Sequence, residues 1–97
     1  MQDLKALKKK FGSVTHKGIE YILDGHAHLS NRVFDGGWQD AREGEAYTAE
    51  YKATAINKNT RENAEVYWQF AEVKGNEPED ESNYPFDSRH IYHVLIQ

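Results

Sequence analysis

Two runs of alternating side chains constrain the fold more than any other feature of the chain. In the first run, residues 47–55, every second residue is tyrosine or alanine and the residues between them are polar or charged. In the second run, Val66, Trp68 and Phe70 alternate with Tyr and Gln. Because successive side chains of a strand point to opposite faces, a period of two is typical of half-buried β-strands. The two runs and the polar connection between them predict an antiparallel hairpin over about residues 46–73.

The remaining patterns predict an α+β fold, in which one N-terminal helix packs on a four- to five-stranded, mainly antiparallel sheet. Leu4, Leu7 and Phe11 recur at helical spacing and form one apolar stripe. Asp24 and Gly25 follow an apolar segment and are a strong signal for a two-residue hairpin turn, which would pair the segments on either side of it. The predicted elements of this single domain, residues 1–97, are a helix at about 3–11, hairpins at about 18–34 and 46–73, an acidic loop at 75–88 and a terminal strand at 90–97.

The composition excludes several classes of protein. The chain has no cysteine, which excludes disulfides, zinc ribbons and thiol catalysis. Its first residues are charged and lack the apolar core of a secretory signal, and no apolar run approaches the roughly 18 residues that would cross a bilayer. We therefore expect a cytoplasmic protein without a membrane partner.

Two closely spaced histidines raise the question of a metal site. Asp24, His26, His28 and Leu29 resemble the first-strand motif of amidohydrolases, in which the two histidines are metal ligands. That resemblance covers about seven residues and implies a barrel of about 250 residues, whose later strands supply the remaining ligands. A chain of 97 residues cannot provide them. A small histidine metal-binding protein or metal-dependent hydrolase using His26 and His28 is therefore an alternative of another class, and no metal is predicted.

Other catalytic signatures are missing from the sequence. None of the four serines lies in a G-x-S-x-G elbow, and the glycine-containing segments lack the spacing of a phosphate-binding loop. The many carboxylates lie in polar segments, where water keeps their pKa values ordinary. We therefore expect a protein that is not an enzyme, with no catalytic residues and no cofactor.

The distribution of charge is the main clue to function. Residues 1–32 carry six bases and three acids, a net charge of +3, whereas residues 33–97 carry six bases and 13 acids, a net charge of −7. The acids of the second part form two groups with aromatic residues and Arg89 interleaved as candidate anchors, and Glu50 extends the first group. The predicted partner-binding residues are Asp35, Asp40, Glu43 and Glu45 in the first group and Glu77, Glu79, Asp80, Glu81 and Asp87 in the second, with Trp38, Tyr47, Tyr84 and Phe86 as the aromatic residues between them.

Carboxylates dispersed over a small rigid protein can imitate the phosphates of a nucleic acid. The sequence therefore predicts an inhibitor that binds a protein partner through the partner's basic nucleic-acid-binding surface and does not itself bind nucleic acid. In size and charge the chain resembles small counter-defence proteins of phages and mobile elements, among them anti-CRISPR proteins that mimic DNA. An immunity protein against a basic nuclease toxin would use the same acids, and so the sequence does not separate the two. A structural subunit with merely solvated acids is a further alternative, and we expect a monomer or a small homo-oligomer.

Overall fold

A long antiparallel hairpin organises the fold, which is described over residues 3–77 and 84–96 of a computed structural model. In these described residues, short 3-10 turns lie at Trp38–Asp40 and Ser88–His90. The predicted α+β class is confirmed, with one N-terminal helix against a mainly antiparallel, curled sheet. The elements are helix α1 (Leu4–Phe11) and strands β1 (Ser13–His16), β2 (Ile19–Leu23), β3 (His28–Leu29), β4 (Ala46–Asn57), β5 (Asn63–Val73) and β6 (Ile91–Ile96).

The hairpin of β4 and β5 has the register that the alternation predicts. Tyr51 lies opposite Trp68 and Ala53 lies opposite Val66, so the two alternating runs present one common face. The sheet order is β1-β2-β4-β5-β6, and the short β3 pairs with β4 on the edge that β2 also uses. β2 takes the end of that edge near Asn57, and β3 takes its middle at Tyr51.

The predicted hairpin over residues 18–34 is wrong. β2 pairs with β1 through a turn at Lys17 and Gly18, whose φ angles of 52° and 78° suit a tight hairpin turn. Asp24 and Gly25 do not have the positive φ angles that a type I′ turn requires. The Asp24 N–H instead donates to the carbonyl of Thr54, and so the chain crosses to β4 and forms β3 there.

The core lies on the face of the sheet that the alternation marks as apolar. Ala53, Val66 and Trp68 are completely buried there. Phe86 covers this face and contacts Trp68 edge to face, with ring centroids 5.2 Å apart, and Tyr84 stacks on Phe70 at 4.6 Å. Tyr84 and Phe86 were predicted as anchors for a partner, but they pack against the core because β5 presents aromatic rings to them.

Helix α1, at Leu4–Phe11, lies within the predicted range of about residues 3–11. The Asp3 carboxylate accepts hydrogen bonds from the N–H groups of Lys5 and Ala6, as an N-cap does. The helix lies against β2, where the Lys8 ammonium is 2.8 Å from the Glu20 carboxylate. Within residues 3–77 and 84–96, no helix has the length and apolar character needed to span a membrane.

The burial of β2 gives a stability prediction. Ile22 is 1% exposed, so Ile22→Ala leaves a cavity and should lower the free energy of unfolding by about 2–5 kcal/mol. Ile96 is 47% exposed on β6, so Ile96→Ala is a matched control that should cost clearly less. Urea denaturation measures both values, and an equal loss in the two variants would contradict the placement of β2 in the core.

Candidate binding site

One long connection, the site loop of residues 30–45, runs beside β4 and forms most of the candidate site. Beyond β3 this edge of β4 has no strand neighbour in the described chain, so its backbone groups need other partners. The loop supplies them, because the Ser30 N–H donates to the Glu50 carbonyl and the Thr48 N–H donates to the Gly36 carbonyl. At its far end the loop is joined to the residue that follows β5, since the Gly44 N–H donates to the Lys74 carbonyl and the Lys74 N–H donates to the Glu45 carbonyl.

A buried ion pair fastens the beginning of the loop to the sheet. The Glu50 side chain is 2% exposed, and the Arg32 guanidinium donates to both of its oxygens, at 2.8 and 2.5 Å. Ser30 and Gln69 each donate a further hydrogen bond of 2.9 Å to the same carboxylate. The Arg32 hydrogen bond, with those from Gln69 and Ser30, lowers the pKa of Glu50 to about 2 against an opposing effect of burial. The charge therefore stays on Glu50 at all but the most acidic pH.

A second attachment holds the middle of the loop. The Lys74 ammonium lies 3.7 Å from the centroid of the Trp38 ring and donates hydrogen bonds to the carbonyls of Trp38 and Ala41. A cation over an indole ring is an attractive contact. Trp38 nevertheless remains 53% exposed, so the ring is available at the protein surface.

Between the site loop and the edge of β4 lies a cavity of about 460 Å³. This volume is in the usual range for small-ligand sites. The described residues of its lining carry three carboxylates and a single guanidinium among mainly aromatic and aliphatic groups. They include Arg32, Phe34, Trp38, Tyr47, Glu50, Glu72 and Glu77. Because Arg32 neutralises Glu50, the remaining lining charge is that of Glu72 and Glu77.

Glu72 is a buried carboxylate at an inward-facing position. It follows Val66, Trp68 and Phe70 in the period-two pattern and is 7% exposed. The Tyr51 hydroxyl donates to it at 3.0 Å. No lysine, arginine or histidine in the described residues forms an ion pair with Glu72.

Tyrosine hydroxyls take the place of a counter-cation around these carboxylates. Burial, and then the hydrogen bond to Glu72, raises the pKa of Tyr84 to about 12. The Tyr47 hydroxyl donates to Glu77 at 2.7 Å, and this bond is the main cause that lowers the pKa of Glu77. Burial, together with the same bond, raises the pKa of Tyr47 far above its ordinary value. Both tyrosines therefore stay protonated donors.

The structure brings the first group of predicted acids together with Glu77. Asp40 accepts from the Gly36 N–H, Glu45 accepts from the Arg42 N–H, and the Glu43 carboxylate lies against Gly75, whose N–H donates to Glu77. These residues surround the first residues of β4 and the last residues of β5. We call this region the acidic end, and its carboxylates are Asp35, Asp40, Glu43, Glu45, Glu72 and Glu77.

Asp87 lies apart from the acidic end. Its side chain accepts from the Arg89 N–H and from His90 at 2.6 Å, and the His90 contact is the main cause of its lowered pKa. Its backbone carbonyl accepts from the Trp68 indole, which lies opposite Tyr51 and therefore about 16 Å along β4 from the acidic end. The other predicted acids of the second group, Glu79, Asp80 and Glu81, lie outside the described residues.

The opposite end of the hairpin is basic. The Lys58 N–H donates to the Glu20 carbonyl, which places the β4–β5 turn beside β2 and helix α1. This basic end has seven cations and four acids, a net charge of +3, whereas the acidic end has six acids and the cations Arg42 and Lys74, a net charge of −4. β4 separates the two ends by about 40 Å in a molecule whose longest extent is 45 Å. The cations of the basic end are Lys5, Lys8, Lys9, Lys10, Lys17, Lys58 and Arg61, and its acids are Asp3, Glu20, Asp24 and Glu62.

The two candidate metal-ligating histidines are engaged in other contacts. The His26 ring packs edge to face on Phe11 at 4.9 Å, and His28 Nδ1 is 3.0 Å from the carbonyl of Leu29. Over the described parts of the chain, no group of three or more histidine, cysteine or carboxylate side chains is placed to hold a metal ion.

Comparison of the chain with protein-family models, curated proteins and solved structures finds no significant match.

Sequence reasoning missed two members of the site. Glu72 had a usable signal, because it occupies the next inward position of the same alternating run as Phe70. Arg32 had none, since its role depends on a contact with Glu50, 18 residues away. Glu50 was assigned to the first acidic group on a solvent-facing side of β4, and its burial arises only because the site loop covers that side.

The Arg32–Glu50 pair gives a prediction about stability and pH. Arg32→Met should lower the free energy of unfolding at pH 7 by about 3 kcal/mol, the lower end of the range for breaking a buried pair, because Arg32 is itself half exposed. The pKa of Glu50 is depressed when folded, so this stabilisation is present above about pH 4.5 and lost as the pH falls towards 2. The difference between the two proteins should therefore shrink over that range.

Urea denaturation at several pH values measures this difference. Arg42→Met is the matched control, because it removes an exposed arginine from the same loop and should change stability by less than about 0.5 kcal/mol. A difference between Arg32→Met and the original protein that is the same at pH 7 and pH 2.5 would contradict the assigned ion pair.

Proposed function

We propose that the protein is a non-enzymatic inhibitor whose acidic end binds the basic nucleic-acid-binding surface of a partner protein. The observation that carries this proposal is the collection of six carboxylates around the first residues of β4 and the last residues of β5, from segments about 30 residues apart in the chain. Five of these six carboxylates, all except Glu72, are exposed and offer the partner a substitute for phosphates, while the protein's own cations lie mainly at the other end.

The placement of the nearby cations supports the proposal. Lys74 is directed onto Trp38 and two backbone carbonyls, so its charge is held against the loop. Arg32 is bound to Glu50. Of the cations in and beside the acidic end, only Arg42 has a side chain for which no such contact is seen in the described residues. A surface of one sign attracts the opposite surface of a partner and accelerates association at low ionic strength.

The separation of charge along the molecule also favours docking by one end. Screening acts over about 8–10 Å at physiological salt, which is much shorter than the roughly 40 Å between the two ends. The basic end therefore does not cancel the field at the acidic end. It also disfavours approach of the partner's basic surface in the reverse orientation.

A pair of variants with equal net charge tests this proposal. Asp35→Asn with Glu43→Gln removes two acids from the acidic end, and Glu62→Lys changes the net charge by the same +2 at the basic end. Immobilised protein should capture a partner from a lysate of the source organism, and double-stranded DNA or RNA should release that partner. The double variant should bind it about three- to tenfold more weakly and with a shallower salt dependence, because charges at a docking surface set both quantities.

The control keeps the proposal falsifiable. Glu62→Lys should bind the partner with the affinity of the original protein. Equal weakening by the two changes, a captured protein that nucleic acid does not release, or no capture at all would each contradict the proposed function.

A further inference from the structure

We propose that the cavity beside β4 is a receptor for a guanidinium group, and that an arginine of the partner's basic surface inserts into it. This inference rests on the proposed function, which it deepens by naming the side chain that is recognised. The cavity is distinct from the outer carboxylates Asp35 and Glu43, which do not line it.

The charge inside the cavity favours a cation. Among the described residues, its lining contains Glu50, Glu72 and Glu77 but only Arg32 as a cation, and the Arg32 charge is neutralised by Glu50. Two negative charges therefore face the cavity. A carboxylate that is 93% buried without a cationic partner is costly, because hydroxyl donors replace only part of its hydration. An incoming cation would offset this cost at Glu72.

The walls favour a planar cation over a compact one. Trp38 and Tyr47 add aromatic faces beside the two carboxylates. Guanidinium groups stack on aromatic rings and form paired hydrogen bonds with carboxylates, whereas an ammonium group is a strongly hydrated point charge.

The cavity already contains one example of the proposed contact. The Arg32 guanidinium lies over the Phe34 ring at 4.8 Å from its centroid while it donates to both oxygens of Glu50. Trp38, Tyr47, Glu72 and Glu77 provide the same combination of aromatic rings and carboxylates a second time. In the described residues, this second set has no guanidinium of its own. The Lys74 ammonium lies over the Trp38 ring, but it donates to two backbone carbonyls of the loop and does not line the cavity.

Three probes of one size test the inference. N-acetyl-arginine amide should bind the intact protein with about a millimolar dissociation constant, as expected for so small a ligand. N-acetyl-lysine amide should bind at least threefold more weakly, and N-acetyl-citrulline amide, the neutral analogue of arginine, should not bind measurably. Titrations followed by the indole N–H resonances provide an internal reference, because Trp38 lines the cavity whereas Trp68 is fully buried and hydrogen-bonded to Asp87.

Matched variants locate the bound probe. Glu72→Gln keeps the size of the side chain and its oxygen acceptor but removes the charge, and should weaken binding of the arginine probe about tenfold. Glu77→Gln, at an exposed position, provides the same test without any risk to the core and should weaken binding at least threefold. Glu62→Gln makes the same change at the basic end and should leave binding unaltered. Each variant is first checked for an unchanged urea midpoint, and Glu77→Gln decides the question if Glu72→Gln fails this check.

The outcomes separate this inference from the proposed function. Absence of saturable binding by the arginine probe, equal binding by the citrulline or lysine probe, or equal effects of Glu77→Gln and Glu62→Gln would overturn the guanidinium site. Those results would leave the partner test with Asp35→Asn and Glu43→Gln standing. Conversely, binding of the arginine probe together with partner capture that ignores the two outer acids would support the cavity and contradict the proposed function.

Discussion

The candidate site depends on one buried charge, the Glu50 carboxylate, which lies between β4 and the site loop. Glu50 lies on the face of β4 that should meet water, yet the site loop covers it. An ionised carboxylate tolerates such burial only when paired and hydrogen-bonded, and here Arg32, Ser30 and Gln69 meet that need. The same bonds fix where the loop begins, and thereby set the wall of the cavity. The shape of the candidate site thus follows from one electrostatic requirement at the centre of the hairpin.

The extent to which the sequence predicts this fold depends on the distance over which each contact acts. The β4–β5 hairpin was predictable because its alternation is local and each strand repeats the pattern several times. The turn at Asp24 and Gly25 was mispredicted because a competing turn at Lys17 and Gly18 comes earlier, and β4 then takes the next segment. The local preference of Asp24 and Gly25 for a hairpin turn was therefore outweighed by strand pairing, of β2 with β1 and of β3 with β4.

The candidate site was predictable in composition but not in arrangement. Its outer acids were identifiable as a charge excess, whereas their convergence with Glu77 depends on the backbone hydrogen bonds that Lys74 forms with Gly44 and Glu45, about 30 residues away in the chain. Asp87 is also an acid, but its carboxylate caps the 3-10 turn at Ser88–His90 and contacts the His90 ring. Glu72 was hidden for a different reason, since a carboxylate at an inward position is read as an interruption of a strand and not as part of a cavity.

The site loop begins just after β3 and ends just before β4, and these two strands pair with each other. In topological terms, the site loop is an excursion between two paired strands, and their pairing brings the ends of the loop towards each other. Lengthening such an excursion costs little free energy, because the entropy of loop closure grows only with the logarithm of length. We therefore expect the sheet to tolerate differently shaped loops as long as the Arg32–Glu50 pair and the backbone bonds between the loop and the hairpin are retained. The proposed binding surface and the hydrophobic core therefore lie in largely separate parts of this short chain.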